Sequence, residues 1–198
     1  MAWTAKFLGF KERAKGLGQV LGTFLKSKDL VLDQGLGELI NLRELKLERQ
    51  LFLSEQVNMV KHVMKLNHLQ SLQLTSYPIK ESWGHLKLEP LSGLENLSRL
   101  ELSGVIDNPS IIVNTNGLPQ NLTIITLVDS ALRDDPMPVL QKLHNLRSLY
   151  LNDRSYMGSS MVCSKGGFPQ LQVLKMSFLF NLEELILEEQ VLQKLVEF

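Results

Sequence analysis

The sequence predicts a curved α/β solenoid, with a short parallel β-sheet on its concave face and irregular or 3₁₀ segments on its convex face. Three observations lead to this prediction. Leucine accounts for 41 of the 198 residues, while aromatic residues supply only 7%. The pattern L-x-x-L-x-L recurs at intervals of 24 to 28 residues. Leucines at every third position precede several of these matches, and that spacing suits tight 3₁₀ turns.

The six matches to the pattern define the repeats. They begin at Leu42, Leu69, Leu97, Leu122, Leu146 and Leu171, and their spacing lies within the 20–29 residues typical of leucine-rich repeats. Within a match the apolar residues alternate, so that Leu100 and Leu102 face inward and Glu101 faces outward. Because one repeat cannot bury its apolar face alone, neighbouring repeats must stack. We expect about six to seven repeats.

The last part of the sequence breaks the period. Leu182, Leu185 and Leu187 match the pattern only 11 residues after Leu171, which is too close for a complete repeat. We expect this segment on the back of the sixth repeat, with the next strand beginning near Leu192 and Leu195, at an interval of 21 residues. On this interpretation the last repeat is incomplete and lacks a polar cap, so the chain is a fragment or the product of a truncated gene.

The turn after each strand lacks a residue that many leucine-rich repeats share. The position that is often asparagine holds Gln50, Tyr77, Ser130 and Arg154. The backbone groups of these turns must therefore find other hydrogen-bond partners, and we expect an irregular, locally mobile solenoid.

Residues 1–28 differ in composition from the repeat domain, which we place at residues 29–198. The segment holds six basic residues and one acidic residue. Its apolar residues recur at helical spacing, at Trp3, Phe7, Phe10, Ala14, Leu17, Leu21 and Phe24. Three interpretations remain open: a helix that caps the solenoid, a basic amphipathic membrane contact or targeting peptide, or disordered sequence joined by a gene-model error.

Charge and composition exclude several classes of protein. The chain carries 21 basic and 21 acidic residues, so no overall field attracts nucleic acid. No apolar run approaches the roughly 18 residues of a membrane-spanning helix. With Cys163 as the single cysteine, no internal disulfide can form, which favours a reducing, cytoplasmic location.

The sequence offers no pattern for catalysis, metal or a cofactor. The four histidines show no H-x-x-x-H spacing, and we expect His68 and His144 at matching turn positions just before strands. We interpret Cys163 as a loop residue, the pair at Asp134 and Asp135 as a solvated turn, and Asn121 as a residue that satisfies a turn. We therefore predict a protein that is not an enzyme and needs no cofactor.

The segments between the strands resemble a known family. Residues 118–122 read Leu-Pro-Gln-Asn-Leu, residues 134–138 read Asp-Asp-Pro-Met-Pro, and residues 167–174 read Gly-Phe-Pro-Gln-Leu-Gln-Val-Leu. In this order and spacing they resemble the leucine-rich repeat region of plant intracellular disease-resistance proteins of the coiled-coil, nucleotide-binding type. The resemblance covers roughly residues 33–190. It implies a sensor that restrains a nucleotide-binding switch domain and recognises a pathogen effector or an altered host protein. Nucleotide binding does not carry over, because the glycine cluster at residues 16–22 lacks the lysine of a phosphate loop.

Outward-facing residues of the strands form the predicted binding surface, since a solenoid presents its concave face to partners. The candidate protein-binding residues are Arg43, Glu44, Lys46, Gln70, Gln73, Arg99, Glu101, Thr126, Arg147, Tyr150 and Lys175. One column across the strands reads Lys46, Gln73, Glu101, Thr126, Tyr150 and Lys175, with Tyr150 as the expected anchor.

Three functions follow from these patterns. The first is a recognition module of plant immunity that binds a switch domain or an effector-related protein. The second is a leucine-rich repeat scaffold or adaptor unrelated to immunity, such as the substrate-reading repeats of a ubiquitin-ligase adaptor. The third is a peripheral protein whose basic segment 1–28 contacts anionic membranes.

Overall fold

Parallel strands from successive repeats pair side by side in one seven-stranded sheet. The structure, a computed structural model, describes residues 23–25, 41–49, 61–76, 84–114 and 116–198. Its strands are β1 (Thr23–Leu25), β2 (Glu44–Arg49), β3 (Ser71–Ser76), β4 (His85–Leu86), β5 (Arg99–Ser103), β6 (Val105–Ile106), β7 (Ile124–Val128), β8 (Ser148–Asn152), β9 (Ser160–Cys163), β10 (Val173–Ser177) and β11 (Glu184–Leu187). The large sheet has the order β1-β2-β3-β5-β7-β8-β10. The predicted fold class is confirmed.

The leucine pattern sets the register of this sheet. Each of the six predicted matches contains one strand, and equivalent apolar residues lie opposite one another, as Leu72 does to Leu100 and Leu149 to Leu174. These four side chains are fully buried. A shift of one residue in the pairing would turn the leucines to the solvent face. Burial of the leucines therefore fixes the register of the sheet.

Tight turns lead into the strands, as the period of three predicts. In five repeats the amide at the first pattern position donates to the carbonyl three residues earlier, at Leu69, Leu97, Leu146, Leu171 and Leu195. These bonds are of the 3₁₀ type, which places every third side chain on one side. Leu66, Leu94 and Leu143 are accordingly buried at 0–2% exposure.

A repeated hydrogen bond joins each repeat to the next at the start of the strand. The carbonyl of Ser98 accepts the amides of Thr123 and Ile124 at 2.8 and 3.1 Å. The carbonyls of Arg43, Gln70, Thr123, Arg147 and Gln172 do the same for the repeats that follow them. The backbone of the strand entrance is therefore held on both sides in every interior repeat.

The turns after the strands bond to the neighbouring repeat rather than to an asparagine side chain. The amide of Asp129 donates to the carbonyl of Asp153 at 2.8 Å, and the amide of Asp153 donates to Ser177 at 3.0 Å. Asp129, Asp153 and Phe178 have φ values of 52°, 42° and 55°, in the left-handed region. The prediction of an alternative bonding scheme is confirmed here, whereas Gln50 and Tyr77 lie outside the described residues and local mobility stays a prediction.

The back of the solenoid holds more regular structure than the sequence predicts. Two-stranded parallel sheets form from β4 with β6 and from β9 with β11. Two short helices, α1 (Ser110–Val113) and α2 (Met137–Leu140), pack against each other there. Residues 182–187 thus lie on the back, as expected, since β11 pairs with β9 and not with the large sheet.

The final strand lies near Leu195, as expected, but the predicted interval of 21 residues is wrong by three. Val196 and Glu197 both donate to the carbonyl of Gln172, and Glu197 pairs with Val173. Leu195 therefore occupies the first pattern position, 24 residues after Leu171. Leu192 instead occupies the preceding turn, where it is 8% exposed. Because the leucines recur every third residue, either Leu192 or Leu195 can be taken as the first leucine of the pattern. Only strand pairing distinguishes the two.

The structure also adds a strand within the predicted N-terminal segment. Strand β1 pairs with β2 in parallel, with Phe24 opposite Lys46. The helical spacing had been expected to continue through Phe24, and at residues 23–25 this is wrong, because the backbone there is extended and bonded to the sheet. Residues 1–22 lie outside the described residues, and the helix proposed for them stays a prediction.

Candidate functional site

The outward side chains of the large sheet align in the column that the sequence predicts. Pairing places Lys46 opposite Gln73, Gln73 opposite Glu101, and Glu101 opposite Thr126. Thr126 then lies opposite Tyr150, which lies opposite Lys175. The alignment of these six candidates is confirmed. Their role in binding stays a prediction.

The remaining candidate residues lie at the strand entrances. Arg43, Gln70 and Arg147 each directly precede a strand, while Glu44 and Arg99 are first residues of β2 and β5. All five side chains are exposed. The eleven candidates thus occupy one face of the sheet and its N-terminal edge. We call this surface the strand face.

Two polar contacts join side chains of the strand face to their neighbours. Gln73 Nε2 donates to Glu101 Oε1 at 2.8 Å. Lys175 Nζ contacts Glu197 Oε1 at 2.5 Å, and this hydrogen bond raises the pKa of the Lys175 amine above its ordinary value. Between these pairs, Thr126 and Tyr150 are partly exposed and carry no charge.

Apolar side chains accompany Tyr150 on the strand face. Ile124 and Val128 extend outward from β7, and Val173 extends outward from β10, all partly exposed. A tyrosine beside exposed aliphatic residues is the composition that protein interfaces favour at their centre. Val128 is absent from the sequence candidates because the L-x-x-L-x-L pattern ends at Leu127, although the alternation continues to Val128 in the strand.

A polar depression lies at the N-terminal edge of the strand face, where β7, β8 and β10 begin. It encloses about 620 Å³ and is lined by Asn121, Thr123, His144, Asn145, Arg147 and Gln170. We call it the rim depression. Of its lining residues, only Arg147 was among the sequence candidates.

Amide side chains link the repeats along this rim. Asn96 Nδ2 donates to the carbonyl of Asn67, and Asn121 Nδ2 donates to that of Glu95, both at 2.7 Å. Asn145 Nδ2 reaches the carbonyl of Gln120 at 3.4 Å. The prediction that Asn121 satisfies a turn is confirmed. In the sequence this role is marked by an asparagine directly before the first leucine of several repeats. A search for asparagine in the turn after each strand does not find it.

The two histidines expected at matching turns occupy adjacent positions instead. His68 directly precedes Leu69, whereas His144 lies two residues before Leu146. His68 therefore corresponds to Asn145, and only His144 lines the depression.

Cys163 and Asp135 lie on the back of the repeats, away from the strand face. Cys163 is a fully buried residue of β9, so its expected place in a loop is wrong. Burial, followed by the negative charge of Asp135, raises the pKa of the thiol to about 12. Asp135 is not simply solvated, because its two oxygens accept the amides of Met137 and Val162. Neither residue faces the strand face.

Across the described ranges, no group of three or more His, Cys, Asp or Glu side chains is placed to hold a metal ion. Over the same ranges, no helix combines the length and apolar character needed to span a membrane.

The comparisons with known proteins agree with this geometry. A family model described as "Leucine-rich repeat region" matches residues 17–198. The chain belongs to this leucine-rich repeat family. The match begins inside the segment expected to lie outside the repeats, in keeping with the presence of β1.

Similar proteins come from Arabidopsis thaliana. "Disease resistance protein RPP8" is 41% identical over 96 residues, which are 48% of this chain and 11% of that protein. "Probable disease resistance protein At1g59620" is 35% identical over 66% of this chain and 15% of its own length. "Probable disease resistance protein RF9" is 36% identical over 78% of this chain and 14% of its length. The resemblance to disease-resistance proteins is confirmed. The matched part spans less than a sixth of these relatives.

Among solved structures, internalin C2 from Listeria monocytogenes is 21% identical to this leucine-rich repeat chain. It covers 90% of this chain and 84% of its own, with a TM-score of 0.49.

Proposed function

We propose that this chain is a protein-recognition module of plant immunity that binds its partner through the strand face. The observation that carries the proposal is the aligned column of differing outward side chains on a frame of buried leucines. The relatives named as disease resistance proteins support the immune context.

The partner is a protein: the nucleotide-binding switch domain of a resistance protein, or a pathogen effector or its host target. A continuous sheet of seven strands is about 30 Å long at ~4.8 Å per strand, which suits one protein partner. The module acts by binding rather than by catalysis, in a cytoplasmic location. The thiol of Cys163 is buried, and its raised pKa keeps it in the neutral form, which is a poor nucleophile.

Tyr150 is the proposed anchor of the interface. It lies between Thr126 and Lys175 in the column, and its neighbouring strands contribute the partly exposed Ile124 and Val173. A tyrosine buries a large apolar area while its hydroxyl still finds a polar partner, which explains the frequency of tyrosine at interface centres.

The proposal is tested by measuring binding of the purified full chain to the nucleotide-binding domain of a related resistance protein, by calorimetry. Tyr150→Ala is expected to weaken binding by about 2 kcal/mol, the scale of an interface anchor. Arg133→Ala is the matched control, because Arg133 is exposed and lies outside the strand face.

Hydrogen exchange on the same complex locates the interface. Protection that rises in β7, β8 and β10 supports the strand face, and protection confined to β9 and β11 overturns it. If Tyr150→Ala and Arg133→Ala weaken binding equally, Tyr150 is not the anchor.

The scaffold or adaptor alternative uses the same surface without an immune partner. Segment 1–28, on which the membrane-contact alternative depends, lies outside the described residues except for β1.

A further inference from the structure

We propose that the rim depression binds a carboxylate side chain of a protein partner, with Arg147 as the group that pairs with it. This inference rests on the proposed function and specifies the chemistry of one contact.

Arg147 presents its guanidinium without a competing partner. Its side chain is exposed and, among the described residues, takes part in no hydrogen bond or ion pair. By contrast, Arg154 uses two nitrogens to bind Asp129 Oδ1, at 3.1 and 2.7 Å. Arg147 is therefore available to a ligand, whereas Arg154 is engaged within the repeats.

The backbone around Arg147 is held by both neighbouring repeats. Its amide donates to the carbonyl of Thr123 at 2.8 Å, and its carbonyl accepts the amides of Gln172 and Val173 at 2.8 and 3.0 Å. The base of the side chain is thus fixed before a partner arrives. A fixed backbone lowers the conformational entropy lost on binding.

The other lining groups favour a negatively charged ligand. The lining includes no carboxylate. Gln170 Oε1 accepts a hydrogen bond from Lys194 Nζ at 2.7 Å, which leaves the Nε2 amide of Gln170 as a donor and places a second cation beside the depression. His144 adds an imidazole that has no hydrogen-bond partner among the described residues.

Two carboxylates in or beside the column are engaged by other side chains. Glu101 accepts from Gln73, and Glu197 pairs with Lys175. Because no carboxylate of the described residues pairs with Arg147, the proposed carboxylate belongs to a partner. A planar guanidinium binds a carboxylate through two parallel hydrogen bonds, and the open shape of the depression admits a side chain that remains attached to a protein.

The test is a nuclear magnetic resonance titration of the labelled full chain with N-acetyl-Gly-Glu-Gly-amide. The Nε–Hε signal of Arg147 is expected to shift and saturate. The peptide with Gln in place of Glu removes only the charge, and it is expected to bind roughly tenfold more weakly, the scale of a hydrogen bond between charged groups.

Two variants distinguish binding in the rim depression from nonspecific attraction of the peptide to positive charge. Arg147→Gln is expected to abolish the saturable shift of the His144 signals. Arg99→Gln is the matched control, because Arg99 is also exposed, lies on the strand face and is not part of the depression. Equal loss in both variants, equal binding of the Gln peptide, or the absence of saturation would each overturn the proposal.

The outcome is separable from the proposed function. A failed titration, together with weaker partner binding by Tyr150→Ala, removes the carboxylate site and leaves the recognition module intact. Conversely, if the titration succeeds while the resistance-protein domain does not bind, the result supports the carboxylate site and counts against the proposed partner.

Discussion

Asp135 shows how one side chain organises the back of a repeat. Its Oδ1 accepts the amide of Met137 at 2.9 Å, at the start of α2 (Met137–Leu140), and its Oδ2 accepts the amide of Val162 at 2.8 Å, in β9. The carboxylate therefore joins a helix to the strand of the following repeat. Because both amides would lose a charged acceptor, we expect Asp135→Ala to lower the free energy of unfolding by about 1–3 kcal/mol in urea denaturation.

Asp134 supplies the control for this prediction. It is the exposed neighbour of Asp135, so Asp134→Ala removes the same charge from the same turn. We expect a change within about 0.5 kcal/mol for Asp134→Ala. Equal destabilisation by the two variants would show that the charge of the turn, rather than the two hydrogen bonds, matters.

Cys163 is a second residue whose environment makes a measurable prediction. Its pKa is raised from 9.0 to about 12 by burial and then by Asp135, so the folded state favours the neutral thiol. In the unfolded chain the thiol ionises near its ordinary pKa. The contribution to stability is therefore fully present below pH 9 and is lost progressively as the pH rises from 9 towards about 12.

The same shift predicts slow chemical modification of Cys163. At a pH below 9 the folded thiol carries a roughly thousandfold smaller thiolate fraction than the unfolded thiol, and the thiolate is the reactive form. We expect iodoacetamide to label Cys163 rapidly in concentrated urea and very slowly in buffer, as measured by mass spectrometry. Equally rapid labelling under both conditions would contradict the buried position in β9.

At the scale of secondary-structure elements, strand β8 illustrates the division between its two faces. Leu149 is fully buried and lies opposite Ile125 on one side and Leu174 on the other. We expect Leu149→Ala to cost about 2–5 kcal/mol in unfolding free energy, because the cavity forms between three repeats. Ser148, the preceding residue of the same strand, faces outward.

Ser148→Ala is the matched control within β8, since it keeps the strand and alters the opposite face. We expect a change within about 0.5 kcal/mol in the same denaturation experiment. A cost close to that of Leu149→Ala would mean that the strand faces are assigned the wrong way round.

Contacts in the whole molecule run mainly from each repeat to the next. The carbonyl before each strand bonds to the following repeat, as do the turns after the strands. Such a chain is nearly one-dimensional, so its stability grows with each added interface between repeats. The binding surface has the same property, because the column from Lys46 to Lys175 takes one residue from each of six strands. A partner that covers the column therefore contacts several repeats at once.

The two proposed binding features differ in how far the sequence predicts them. Tyr150 is visible in the sequence because its place in the repeat fixes its direction. The rim depression is not, because Asn121, His144 and Gln170 come from three successive repeats and its shape depends on how their side chains are placed. The sequence predicts Arg147 only as an outward-facing strand residue. The structure shows in addition that, among the described residues, its guanidinium has no partner while that of Arg154 has one.

The leucine pattern alone predicts the stack of repeats, the six strand positions, the inward leucines and the alignment of the outward column. Periodic leucines can be buried in only one register, so the pattern carries this information without knowledge of distant contacts. Only the folded structure shows that Leu195 is the first leucine of the last repeat, that residues 23–25 form a strand, and what Asp135 and Cys163 contact. Each of these depends on pairing or hydrogen bonding between segments that lie far apart in the chain, where the local pattern permits more than one arrangement.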